Sequence, residues 1–281
     1  MDELTRRHEQ MVYPAVRMLA EKAGGSGTIL YSAKDSKGQV RTFVIGCHHV
    51  VTDLIKVADE WNPRLGRMMK MERRNPAVVE TFRYNNTSTC IGVTGAEGDV
   101  VAYGARDDIA LLELRDHENL YPYVAKIVPR DRHTDILLTA KVWAVGAALL
   151  HAPIVTEGLL NYKDDIIEGE RYWMSSAQII FGNSGGSMYW QAQDGDYYFI
   201  GMPARIAITM TGYSANPITH LGFFISPERI YKFLDEQDFQ FLYDPAQTIE
   251  ECDARREEKA RQDRERMELM QGIVERGSKV A

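Results

Sequence analysis

The sequence predicts an all-β protein, either a sandwich or a barrel. Two observations carry this. From Thr28 onward, apolar residues recur with a period of two in many short runs separated by turn signals. Runs of helical period do not alternate with these strands, as a parallel α/β sheet would require; they fall at the two ends of the chain.

Taken in order, residues 2–22 place Leu4, Met11, Ala15 and Met18 at spacings of three and four, which predicts a leader helix over 1–24, interrupted by Pro14 and ended by the glycines at 24–27. Residues 28–31 and 39–47 predict a hairpin with its turn at 34–38. Residues 53–80 are ambiguous: Met68, Met69 and Met71 among basic residues suit a short helix or a flap. Runs at 78–83, 89–93, 100–103 and 108–114 bring the first half to about six strands. The second half repeats the style at 126–128, 141–145, 154–160, 172–176, 186–191, 197–209 and 220–225. Ser226, Pro227 and Glu228 supply a cap, a first-turn proline and a first-turn acid for a closing helix. A charged helix follows over 244–277, starting at Asp244 or at the capping box from Thr248 to Glu251. Its apolar positions, Met267, Met270, Ile273 and Val274, offer a handle for self-association.

The 281 residues are 44% hydrophobic and 26% charged, which suits a folded chain with a sizeable core. A net charge of −7 argues against nucleic acid or an anionic membrane as partner. No apolar run approaches the ~18 residues of a spanning helix, and the amino-terminal residues lack a signal-peptide profile. Three cysteines, Cys47, Cys90 and Cys252, suggest no disulfide framework. The expectation is reduced thiols and a cytoplasmic protein.

The chemistry concentrates in residues 175–190, SSAQIIFGNSGGSMYW. Glycines on both sides of Ser184 let the backbone turn sharply and approach a substrate closely. Such a turn can aim the N–H groups of Gly182 and Ser184 at a developing oxyanion beside a nucleophile. A serine needs a base, and the base an orienting acid. A β-rich run ends at His48 and His49, and Asp108 leads directly into an apolar strand. The order His, Asp, Ser differs from that of subtilisins and α/β-hydrolases.

With GSGTIL at 25–30, HHVV at 48–51, DIALLEL at 108–114, VWAVGA at 142–147, FGNSGGS at 181–187 and LGFFISP at 221–227, the chain resembles the trypsin-like serine peptidases. Its pattern is closest to the bacterial HtrA-type members, without room for their PDZ domain. The resemblance implies a peptidase domain over 25–235, made of two packed antiparallel six-stranded β-barrels (25–120 and 121–235) with the site between them. It implies His49 as base, chosen over His48 because it directly precedes Val-Val, with Asp108 as its partner, Ser184 as nucleophile, and Gly182 and Ser184 as oxyanion donors. It places Gln178, Ala204, Arg205 and Ile206 around the primary substrate pocket, which favours small or medium aliphatic residues before the scissile bond. Pro203 suits an edge strand left free to pair with substrate backbone. Two departures stand out. The span from His49 to Asp108 is long, which predicts an inserted flap near 60–85. Ala204 stands where many members carry a hydroxyl that supports the aspartate.

The expected function is a serine endopeptidase acting on protein or peptide substrates without a cofactor. The alternatives are a catalytically silent peptide-binding scaffold and an esterase using the same triad. No metal is expected, because His48 and His49 would point to opposite sides of a strand and spaced ligands are lacking. Asn183, where digestive relatives carry an aspartate, implies that no amino-terminal cleavage is needed for activity. The tail from Asp244 onward is expected to be dispensable for chemistry.

Overall fold

A computed structural model describes residues 2–277, apart from 63–65, 86 and 88. The first half contains β1 (Ala15–Leu19), β2 (Gly24–Lys34), β3 (Val40–Gly46), β4 (Ile55–Asn62), β5 (Arg67–Arg74), β6 (Ala77–Asn85), β7 (Thr89–Gly104) and β8 (Ile109–Leu114). The second contains β9 (Lys141–Gly146), β10 (Ile154–Ile167), β11 (Glu170–Ser175), β12 (Ser187–Gln191), β13 (Tyr197–Thr211) and β14 (Ser214–Ile225). Two closed antiparallel barrels result, in the orders β1-β2-β3-β8-β7-β6 and β10-β11-β14-β13-β12-β9, with β4 and β5 as a separate hairpin. Closure leaves neither sheet with an open edge along its whole length.

The expected six strands of the first barrel are present, but not all are the ones anticipated. The leader is helical only at α1 (Glu3–Arg7) and in a single π turn, His8–Val12. Pro14 stops the helix, and residues 15–19 become a barrel strand with Ala15, Val16 and Met18 buried. Arg17 leans out to Glu80 on the neighbouring strand at 2.5 Å. The runs at 89–93 and 100–103 are one continuous strand. The glycines at 24–27 do not break the chain; they open β2, where a Cβ on Gly27 would sit 2.8 Å from a Val44 methyl. In the second barrel, residues 126–128 form no strand and contribute one bridge, Ile127 to Phe199.

The inserted flap is the β4–β5 hairpin, so it runs from 55 to 74 rather than 60 to 85; residues 77–85 belong to the barrel. Met68 and Met71 lie exposed on it, as strand rather than helix.

After β14, α3 (Pro227–Glu236) starts at Ser226, whose side chain makes no capping bond. The longer α4 (Ile249–Gly277) does begin with the capping box: Thr248 N–H donates to Glu251 Oε2 at 3.0 Å, and Glu251 N–H to Thr248 Oγ1 at 3.2 Å. Its first two turns dock on the first barrel. Ile249 and Cys252 are buried, Asp253 pairs with Arg41 at 2.9 Å, and Arg256 stacks on Phe239 at 3.8 Å. The side chains of Met267, Met270, Ile273 and Val274, the expected association handle, lie outside the described residues. Among the described residues, no helix is long and apolar enough to cross a membrane.

Candidate functional site

His49 is not on a strand. Cys47 ends the extended run (φ −79°, ψ 140°), and residues His48–Val51 form one helical turn, α2. Adjacent side chains on a turn diverge by about 100° rather than 180°, so the strand argument used above against a metal does not apply. His48 stacks on Tyr103, with ring centroids 5.1 Å apart and planes within 17°, and burial pulls its pKa down. His49 turns instead toward the barrel junction.

Asp108 meets it there. The tight turn before β8 puts Asp108 at φ 58°, a conformation that aspartate and asparagine tolerate better than most residues. Its carbonyl takes the His48 N–H at 3.1 Å, and its Oδ1 takes the His49 N–H at 2.9 Å. The carboxylate then lies 2.9 and 3.0 Å from His49 Nδ1. A carboxylate can only accept, so Nδ1 carries a proton, and in the neutral ring the lone pair is then on Nε2. The His49 side chain is 47% exposed and that of Asp108 only 15%, so the acid is shielded while the imidazole reaches the cleft.

Ser184 comes from the second barrel, in the loop between β11 and β12. Gly182 (φ 95°) and Gly185 (φ 83°) take conformations that L side chains rarely adopt. They are also wedged: a Cβ on Gly182 would lie 2.7 Å from both the Ala147 carbonyl oxygen and the Leu149 nitrogen. One on Gly185 would lie 2.7 Å from the Cys47 nitrogen and overlap the Ser26 carbonyl oxygen. The loop is tied across the junction by Ser26. The Ser26 N–H donates to the Ser184 carbonyl at 2.8 Å, and its hydroxyl bridges from the Ala147 N–H (2.7 Å) to the Gly182 carbonyl (2.6 Å). Sequence reasoning missed Ser26; the signal was a serine between glycines in a strand, where two backbones approach closely. Within the loop, Asn183 is buried and its Oδ1 accepts the Ile180 N–H at 3.0 Å. Among the described residues, neither the Gly182 nor the Ser184 N–H donates to a protein acceptor.

Ser184 and His49 share the walls of a cleft of about 220 Å³, completed by Ile179, Ile180, Phe181 and the middle of β13 from Pro203 to Ile206. Ala204, Arg205 and Ile206 are therefore brought beside Ser184 and His49. Gln178 is not: its side chain is exposed and outside the cleft, and its carbonyl accepts the Thr156 hydroxyl at 2.7 Å. The next residue turns inward instead. Ile179 is 3% exposed and packs where Gly222 of β14 leaves no side chain. Arg205 is held by Glu168 at 2.6 Å and by the Tyr172 hydroxyl at 3.2 Å. The pairing of β13 with β12 ends at Gly201, which leaves that edge unladdered beyond Pro203.

Cys47 lies beneath the pair, fully buried, with its thiol donating weakly to the Pro203 carbonyl at 3.5 Å. Burial, and then the Asp108 charge, push the thiol well above its ordinary pKa. All three cysteines are unpaired.

No family model matches the chain, and no curated protein matches its sequence. Solved structures do match. An HtrA-type protease, AlgW with a tripeptide, is 15% identical with a TM-score of 0.55; the match covers 85% of this chain and 64% of that one. The MamO protease domain from Magnetospirillum magneticum, in its apo form, is 17% identical with a TM-score of 0.52, covering 80% of this chain and 97% of that one. The chain thus spans less than two thirds of the AlgW chain. At these identities the likeness is one of fold: the two barrels are those of the trypsin-like proteases.

Proposed function

We propose that the chain is a serine endopeptidase. The observation that carries this reading is the His49–Asp108 pair facing, across one cleft, a serine held in a glycine turn. Asp108 fixes the imidazole with its proton on Nδ1. Nε2 then takes the Ser184 proton as Oγ attacks the scissile carbonyl. The Gly182 and Ser184 N–H groups receive the oxyanion, and two such donors aimed at developing charge contribute roughly 3–4 kcal/mol each. His49 passes its proton to the leaving amine, and water repeats the sequence in reverse to release the acyl group. The edge from Ala204 to Ile206 pairs with substrate backbone, as in β-strand addition. A small apolar pocket floored by Ile179, with no acidic residue in its lining, supports cleavage after small or medium aliphatic residues. Three unpaired thiols support a reducing, cytoplasmic setting.

A fluorophosphonate probe tests the proposal. Wild type should form one covalent adduct on Ser184, and Ser184→Ala should form none. A silent scaffold predicts no adduct on the folded wild type. A substrate-library profile then reads specificity: dominance of Arg or Lys before the cut would overturn the pocket assignment.

A further inference from the structure

The donor set beneath the cleft supports more than proton transfer. One donor atom each from Cys47, His49 and Asp108 lies within 4.8 Å of the other two. We propose that these residues form a binding site for a soft divalent cation of the zinc and cadmium class, and that the cation switches the base off. The consequence for catalysis rests on the peptidase reading above; the binding itself does not.

Sulfur, imidazole nitrogen and carboxylate oxygen together are the ligand set that zinc takes with three protein ligands and one open position. The thiol biases the site toward soft, thiophilic ions and away from magnesium or calcium. Donors in a tetrahedral zinc site stand roughly 3–4 Å apart, so closing on an ion needs inward shifts of about an ångström. Asp108 already lies 2.9 Å from His49 Nδ1, a separation close to that of two ligands on one ion. The half-exposed imidazole gives the ion its route in and leaves the fourth position to water.

Proton balance explains the inhibition. The thiol releases one proton to solvent as its sulfur binds the ion. The imidazole stays neutral but shifts its proton from Nδ1, now a ligand, to Nε2. An Nε2 carrying hydrogen cannot accept the Ser184 proton. A cation on Nδ1 therefore puts the ring proton on Nε2, the nitrogen that general-base catalysis needs free, so binding and catalysis exclude each other.

Cadmium tests this directly, since a thiolate bound to it absorbs in the ultraviolet. Full-length protein titrated with cadmium chloride should develop a thiolate-to-metal band at one equivalent, in wild type and in Ser184→Ala alike. Cys90→Ser should keep the band. Cys47→Ala should lose it, and His49→Gln should weaken cadmium at least tenfold. Each variant is first shown to be folded by circular dichroism. A band that survives Cys47→Ala, or no band in folded wild type, overturns the site. If the band behaves as expected but wild type never labels with the probe, the metal site stands and the peptidase reading falls.

Discussion

Asp108 holds His49 at two points: Oδ1 takes the backbone N–H at 2.9 Å, and the carboxylate meets Nδ1 at 2.9 and 3.0 Å. The first contact sets where the turn lies, and the second sets which tautomer the ring adopts. Asp108→Asn separates them. Asparagine accepts φ 58° and can still take the backbone N–H, so stability should change little. Its amide can present N–H to Nδ1 and stabilise the wrong tautomer, so peptide hydrolysis should fall by roughly 10³–10⁴-fold. Combined with Ser184→Ala it should cost little more than Ser184→Ala alone, because the three residues act as a unit. Equal kcat for Asp108→Asn and wild type would remove Asp108 from the mechanism.

The glycine turn makes a second, purely structural prediction. Gly185 and Gly38 both have positive φ, 83° and 80°, but nothing lies within 4 Å of a Cβ on Gly38. Gly38→Ala should cost about 1–2 kcal/mol, the backbone strain alone. Gly185→Ala adds a collision with Ser26 and Cys47 backbone atoms that cannot move without parting the barrels, and should cost more than about 3 kcal/mol. Urea unfolding of both variants compares them; equal midpoints would mean that the junction is soft.

Much of this architecture was legible in the residues, and the failures have physical causes. Period-two runs marked most barrel strands because each buries one face. Residues 15–19 were misread because the spacing from Met11 to Ala15 and Met18 fits a helix as well as it fits a strand flanked by a turn, and only pairing with β2 and β6 decides between them. The glycines at 24–27 read as a break, when they are there to let Ser26 reach the Ser184 loop. The family resemblance puts Gln178 at the pocket, and one residue of twist exchanges it for Ile179. His49, Asp108 and Ser184 were all named from sequence and are brought to one junction. Cys47 carried no signal of its own, because its place beneath the pair is created by the fold.

The tail gives a third prediction, which concerns stability rather than chemistry. The first two turns of α4 bury Ile249 and Cys252 and cover the ring cluster of Phe43, Phe239 and Phe241 through Arg256. A chain ending after Tyr243 loses this cover. Burying one isoleucine contributes about 1.5–3 kcal/mol, so with its neighbours the loss should lower Tm by roughly 5–15 °C. A chain ending after Gln262, beyond the docked turns, should melt as the full chain does. If both truncated chains melt alike, α4 is not part of the folded unit.

The last prediction concerns Asn183. It is 5% exposed, its backbone N–H donates to the Ile180 carbonyl at 3.0 Å, and its side-chain oxygen accepts the Ile180 N–H at 3.0 Å. Among the described residues, no basic side chain hydrogen-bonds to it, so the neutral amide suits the site as it stands. Asn183→Asp would bury a carboxylate with one N–H partner and no cation, and burial should raise its folded pKa above the unfolded value of about 3.9. The sign follows from linkage. Below pH ~4 the side chain is protonated in both states, and the variant should come closest to wild type. As pH rises through the raised folded pKa, the unfolded state ionises more readily, and the variant should fall behind by about 1.4 kcal/mol for each unit of the shift. Urea denaturation of both proteins from pH 4 to pH 8 reads this directly. The same reasoning predicts that the wild-type chain reacts with a fluorophosphonate at full mass, since no buried acid waits for a newly cut amino terminus to pair with it. A stability gap that does not change with pH would show that the site accommodates a charge at residue 183, and labelling confined to a chain shortened at its amino terminus would show that cleavage is needed for activity after all.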